Sequence, residues 1–244
     1  VQACLAEGRR LLHADALEGV RPKALVVPHA GYLYSGPVAG SAYASIEPWA
    51  EEIRRVVLIG PAHRMAFEGL AASSADAWQT PLGEVPLDLA GRASLAPLPQ
   101  VELLEAAHAS EHSLEVQLPF LQVVLPDFLL LPIVAGEARP GAVAEVLETA
   151  WGGDDTLILV STDLSHYQDS DTARILDRAA TRAIESLRPD DLTWENACGL
   201  VPLRGLLIAA HHHRLRPRTL DLRNSGDTAG PRDRVVGYGA YAFA

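Results

Sequence analysis

The sequence predicts an α/β fold: a mostly parallel central sheet covered by helices on both faces. Three observations predict it. Short runs that are apolar at every position recur along the 244 residues. Segments of helical periodicity separate them, and several of the runs end in a tight turn carrying a histidine.

Residues Ala24 to Val27, Val56 to Ile59, Phe128 to Val134 and Leu157 to Val160 are the core runs. A strand buried on both faces has no polar face to show, so such runs belong in the middle of a parallel sheet. Helices are expected over Pro37 to Ile46, Glu111 to Leu125, Gly141 to Ala150, Asp171 to Leu187 and Leu200 to His213. Pro119 lacks an N–H and should kink or break the second of these. The segment Val235 to Phe243, rich in Gly, Tyr and Ala, is a last strand. Repeats, low-complexity tracts and Gly/Ser linkers are absent.

Composition narrows the function classes. Hydrophobic residues make up 48% and the net charge is −11, with 31 acidic against 20 basic residues. An acidic surface repels phosphate backbones and anionic bilayers, so neither nucleic acid nor membrane is an expected partner. No apolar run reaches the roughly 18 residues of a membrane span, no secretory signal is visible, and two cysteines do not make a disulfide framework; a cytoplasmic setting is expected. Neither a Walker motif nor Gly-x-Gly-x-x-Gly occurs, so nucleotide binding has no support.

The histidines carry the chemistry. The first core run passes into Pro28-His29-Ala30-Gly31-Tyr32, the second into Gly60-Pro61-Ala62-His63, and the fourth into Ser161-Thr162-Asp163-Leu164-Ser165-His166. Parallel strands deliver their carboxyl ends to one edge, where ligand crevices form in open α/β sheets. His29, His63 and His166 can therefore converge. Neutral imidazole is a common ligand for Zn, Fe, Cu and Ni, and an anionic third ligand would complete a site with open positions. Asp163 and Cys198 are both candidates for it. Cys198 precedes the Leu200 helix, whose N-terminus should favour the thiolate; a small residue packed under the helix is the plainer reading.

Other residues have plainer readings too. Ser110 can cap the Glu111 helix, on which Glu111 and Glu115 share a face for capping and surface ion pairs, with His112 pointing elsewhere. His211, His212 and His213 point about 100° apart in a helix and cannot chelate one ion; near a helix C-terminus they suit its dipole. His13 and His108 are expected to face solvent, and Cys4 to be packed or exposed. Tyr32, Tyr34 and Tyr167 flank the strand-end loops, as pocket walls or as core packing. Asn224 to Asp227 is a turn by composition.

Taken in order, these segments resemble the Memo family (mediator of ErbB2-driven cell motility) and AmmeMemoRadiSam system protein B. The matching pieces are Pro28-His29-Ala30-Gly31-Tyr32 with Ser35-Gly36, Gly60-Pro61-Ala62-His63, Glu111-His112-Ser113-Leu114-Glu115 with Leu118-Pro119-Phe120, Ser161 to Tyr167, Ala197-Cys198-Gly199, Asn224 to Asp227 and Val235 to Tyr241. The Ala-Gly-x-Trp-Tyr segment with which family members usually begin would precede Val1.

The resemblance implies one Memo-like domain over 1–244 with a fold similar to class III extradiol dioxygenases, which hold Fe(II) on two histidines and a carboxylate. Carried across, His29, His63 and Cys198 are the metal ligands, His166 the acid/base residue and Asp163 its polar partner or an alternative ligand. Tyr32, His112, Tyr167 and Asp227 fall to the substrate side, with Ser225 behind them. Fe(II) is the implied metal, with Cu or Zn favoured by the softer thiolate. The implied activity is that of a dioxygenase-like oxidoreductase; a non-enzymatic metal- or peptide-binding adaptor using the same pocket is the alternative, and hydrolysis by a Zn-bound water or a Cys198 nucleophile a third. A small aromatic or peptide ligand is expected, and AMMECR1-like and radical SAM proteins are partners by resemblance.

Overall fold

The computed structural model describes residues 1–12 and 19–244; the expectation for His13 falls outside them. In chain order the helices are α1 (Gln2–Leu11), α2 (Gly36–Ala44), α3 (Leu89–Leu95), α4 (Glu105–His108), α5 (Leu118–Val124), α6 (Pro140–Thr149), α7 (Ser170–Glu185), α8 (Leu200–His212) and α9 (Ser225–Thr228). The strands are β1 (Ala24–Val27), β2 (Arg55–Pro61), β3 (Leu70–Ala72), β4 (Ala77–Thr80), β5 (Gly83–Pro86), β6 (Val101–Leu103), β7 (Leu129–Ala135), β8 (Thr156–Ser161), β9 (His166–Gln168), β10 (Pro217–Asn224) and β11 (Val235–Phe243).

Nine strands form one sheet in the order β10-β11-β1-β8-β2-β7-β3-β6, with β9 added to β11, while β4 and β5 make a separate hairpin. The four predicted core runs lie side by side at its centre and are parallel, with Val27 opposite Ser161, Ile59 opposite Val160 and Pro61 opposite Ala135. Towards the edges the direction is mixed. β11 runs antiparallel to β1, β10 and β9, and β3 antiparallel to β7. The strands β3, β6, β9 and β10 were not expected, because runs that are very short, or partly exposed on both faces, carry little period-2 signal.

Alternation along each central strand feeds two cores. Val26, Val57, Ile158 and Ile133 pack under α6, α7 and α8. Leu25, Leu58, Leu159 and Val134 pack under α1, α2 and α5. Each fully buried aliphatic side chain contributes about 2 kcal/mol of burial free energy, and helices on both faces leave these strands no solvated side. No helix among the described residues is long and apolar enough to cross a membrane.

Caps and prolines set the helix limits. Asp169 caps α7 by accepting from Thr172 N at 3.0 Å. Pro37, Pro119 and Pro140 each open a helix in the first turn, where a missing N–H costs nothing. Pro119 thereby overturns the single helix expected over Glu111 to Leu125. Residues 111–114 are an irregular turn, Glu115–Gln117 a short 3-10 segment, and the α-helix proper starts at Leu118. Ser110 accordingly caps no helix.

Against expectation, His108 is buried. Its Nε2 donates to the Ala71 carbonyl at 3.2 Å and its ring packs edge-on against Trp78. Its Nδ1 has no partner, so a second proton there would be stranded. Burial accordingly lowers the His108 pKa. The histidines at the end of α8 meet Glu148, with His212 Nδ1 at 3.2 Å and His213 Nε2 at 2.6 Å, and His213 stacks on Trp151.

Two predictions follow from this packing. α1 and α2 meet at Gly8 and Gly40, and a Cβ on Gly40 would run into the Cys4 carbonyl group. Gly40→Ala should lower stability by about 1–3 kcal/mol in urea unfolding, because two helix backbones cannot yield cheaply. His108 binds its proton less readily folded than unfolded, so stability drops as the pH falls below the unfolded value of about 6.5 and is level above it. Between pH 7.5 and 5.5 the melting temperature of wild type should fall more than that of His108→Gln; equal slopes would contradict the assignment.

Candidate metal centre

Three segments meet at the carboxyl edge of the sheet. β1 hands its chain to His29, β2 to His63 and β8 to Asp163. The start of α8 closes over them, and Gly199 permits this approach: a Cβ there would sit 2.6 Å from Thr162 Cβ. Instead Gly199 N donates to Thr162 Oγ1 at 2.8 Å, and Cys198 N to the Asp163 carbonyl at 3.3 Å.

His29 Nε2 is 3.3 Å from Cys198 Sγ. One ligand atom each from His29, His63 and Cys198 lies within 4.8 Å of the others, a spacing on which one cation can be held. The outer nitrogens are engaged. His29 Nδ1 is 3.0 Å from Ser161 Oγ. His63 Nδ1 donates to Glu111 Oε1 at 2.9 Å, which leaves its Nε2 lone pair free. Imidazoles fixed on one nitrogen and free on the other suit metal ligation.

Glu111 is the residue that sequence reasoning misplaced. Its carboxyl is 1% exposed rather than on a surface helix face. Oε2 accepts from His63 N, and Oε1 accepts from His63 Nδ1 and from Ser113 N at 2.9 Å. Burial works to raise its pKa, but these hydrogen bonds outweigh it and hold the group at about 2. His63, Glu111 and His112 form a second trio with atoms inside 4.8 Å. Both carboxyl oxygens there already accept N–H donors, so the trio reads as the device that orients His63.

The other donors are neutral. Burial, working against the attraction of Asp163, lowers His29 to about 4. Burial, reinforced by Asp163, raises the Cys198 thiol to about 12. In the metal-free chain desolvation thus outweighs the helix N-terminus. Asp163 ties two loops together, its Oδ1 accepting from His29 N at 2.8 Å and Ala30 N at 3.3 Å. Its Oδ2 is 4.0 Å from His29 Nε2.

His112 stands beside both histidines, its ring centroid 5.7 Å from that of His29 and 5.1 Å from that of His63. With His29, Tyr32, Thr80, Val116 and Pro119 it lines a cavity of about 440 Å³. Tyr32 is pinned there by its hydroxyl, which donates to the Val116 carbonyl at 3.0 Å.

The remaining expected residues are not among the clustered donors. His166 lies on β9 outside the coordinating trio, its Nδ1 2.8 Å from the Leu164 carbonyl. Tyr167 has a left-handed φ of 62° and is 64% exposed, its ring under the Arg234 guanidinium at 4.6 Å. Tyr34 is exposed, and Cys4 is half-buried and unpaired. Asp227 belongs to a capping box with Asn224 and pairs with Arg174 at 2.7 Å, beside a different cavity of about 300 Å³. Ser225 Oγ accepts from Val236 N at 3.1 Å. These contacts give Asp227 and Ser225 structural work on the α9 turn.

Comparison with known proteins agrees with the ordered motifs. The family described as Memo-like protein matches residues 5–242. The chain belongs to the Memo-like family. A MEMO1 family protein of Aquifex aeolicus is 38% identical over 237 residues, covering 91% of this chain and 85% of that one. A MEMO1 family protein of Sulfolobus acidocaldarius is 36% identical, covering 89% and 81%. The Memo-like fold also resembles the crystal structure of the uncharacterized protein JW3007 from Escherichia coli K12, with a TM-score of 0.60 at 14% identity, covering 92% of this chain and 100% of that chain. At that identity the likeness concerns the fold alone.

If Asp163 is a clamp between the β1 and β8 loops, Asp163→Ala strands two N–H groups. Urea unfolding should show a loss of about 2–3 kcal/mol, against less than half of that for Asp227→Ala on the half-buried α9 turn.

Proposed function

We propose that this Memo-like protein is a metal-dependent, dioxygenase-like oxidoreductase whose metal is held by His29, His63 and Cys198. One observation carries the reading: two imidazoles, each engaged at Nδ1, and one thiol converge at the carboxyl edge of a parallel sheet, where His29 also lines a cavity. Fe(II) is the metal we favour, with Cu or Zn as alternatives that a sulfur ligand suits. When bound, the ion would supply redox and Lewis-acid chemistry.

The chain's own residues would do the rest. The wall of Tyr32, Val116 and Pro119 favours a small aromatic molecule, with phenols and catechols the substrate class we assign. His112 faces the same cavity with its Nδ1 3.5 Å from Glu111 Oε1, so it is placed to take a proton from a substrate hydroxyl. We assign that role to His112 ahead of His166, the residue implied by resemblance, because His112 touches the cavity and both ligand histidines. Asp163 and Glu111 position the ligands. The adaptor reading draws on Leu33, 70% exposed on the loop after His29: a peptide laid across that loop would reach the same cavity.

Metal analysis after anaerobic purification tests the centre. Wild type should carry close to one equivalent of iron, copper or zinc, and His63→Ala and Cys198→Ser almost none; equal content in all three would overturn it. Oxygen uptake with a panel of catechols tests the activity. His112→Gln should keep its metal and lose about 100-fold in rate or more. A larger loss in His166→Gln would return the proton role to that residue, and metal without uptake on any substrate would favour the adaptor.

A further inference from the structure

The hydrogen bonds behind His29 form a chain whose proton positions can be deduced. Tyr43, on α2, is fully buried and stacked on Phe120, and its hydroxyl is 2.8 Å from Gln117 Oε1. Gln117 Nε2 is 3.0 Å from the Pro28 carbonyl and 2.9 Å from Ser161 Oγ. A carbonyl only accepts, so the contact with Pro28 fixes which end of the Gln117 amide carries nitrogen. That nitrogen donates to Ser161 Oγ as well. Ser161 has one proton to give. Its Oγ lies 2.6 Å from the Ser113 carbonyl and 3.0 Å from His29 Nδ1. A hydroxyl that withheld its proton from Ser113 would press two lone-pair oxygens together at that shorter distance. The proton therefore goes to Ser113, and Ser161 has only acceptor capacity left for His29.

We infer that Ser161 and Gln117 are positioning residues that hold His29 as the Nδ1–H tautomer, so that its Nε2 lone pair faces Cys198. His29 Nδ1 then donates to Ser161 Oγ, and the Cys198 thiol donates to His29 Nε2 across 3.3 Å. His63 reaches the same tautomer through Glu111. Two unrelated devices, a neutral hydroxyl relay and a carboxylate, thus present the same ring atom to one point. Ser161 closes β8 and Gln117 immediately precedes α5, so the relay also couples the ligand to the helix layer behind it. The inference rests on the metal reading for its purpose, though the tautomer itself is a property of the metal-free chain.

The test is ¹⁵N NMR of the metal-free protein labelled at the histidine rings, with metal affinity measured alongside. Wild-type His29 should show a protonated Nδ1 and an unprotonated Nε2. Ser161→Ala should move it towards Nε2–H and weaken metal binding by about 10–100-fold, while Ser161→Thr, which keeps the hydroxyl, should preserve both. A wild-type spectrum with Nε2–H overturns the inference without any variant, as does a folded Ser161→Ala that retains Nδ1–H. The expected tautomer together with no metal uptake would uphold the relay and remove the proposed function instead.

Discussion

The parallel pairing of β1, β8 and β2 is the constraint on which the site depends. Val27, Ser161 and Pro61 end their strands within one residue of the same level of the sheet, so the next residues of all three enter one crevice. Had β2 run antiparallel, its seven residues would carry His63 roughly 20 Å to the opposite edge at about 3.3 Å per residue. Side-chain chemistry cannot repair such a displacement. The parallel centre in turn requires helices on both faces, which is why the central strands are aliphatic throughout and why only their ends are free to carry polar groups.

Inside that crevice the protein keeps charge to a minimum. Taking an ion out of water is costly unless it is paired and hydrogen-bonded. His29 and Cys198 respond by staying neutral, one pushed down and the other pushed up by burial. Glu111 goes the other way because three N–H groups converge on it. The outcome is a pair of imidazoles and a thiol ringed by fixed donors and acceptors. The hydroxyl relay behind His29 and the carboxylate behind His63 bring rigidity from the core to the ligands.

Much of this was legible in the sequence. Runs apolar on both faces gave the central strands, and the strand-end rule singled out His29, His63 and His166, of which the first two fall in the trio with Cys198. Cys198 was visible as a thiol at a helix start, but its burial, which raises the thiol pKa in the metal-free chain, leaves no mark in local sequence. Glu111 was read on a helix because Pro119 was expected to kink or break one helix over Glu111 to Leu125 rather than to open a separate one at Leu118. Ser161 and Gln117 could not be recognised, as their roles come from atoms contributed by residues far away in sequence. The direction of β11 and the existence of the short edge strands were equally hidden: periodicity reports which face is buried and is silent about which neighbour runs alongside. Tyr167 and Asp227, from motifs that resemble the family, carry a left-handed backbone and a capping box that local sequence did not announce.

The most direct test of the convergence is a crystal structure of anaerobically purified protein with anomalous data across the iron, copper and zinc edges. The account predicts one peak at metal–ligand distance, about 2.0–2.3 Å, from His29 Nε2, His63 Nε2 and Cys198 Sγ. A peak on His63, Glu111 and His112 without Cys198, or ligand side chains turned away from one another, would contradict it.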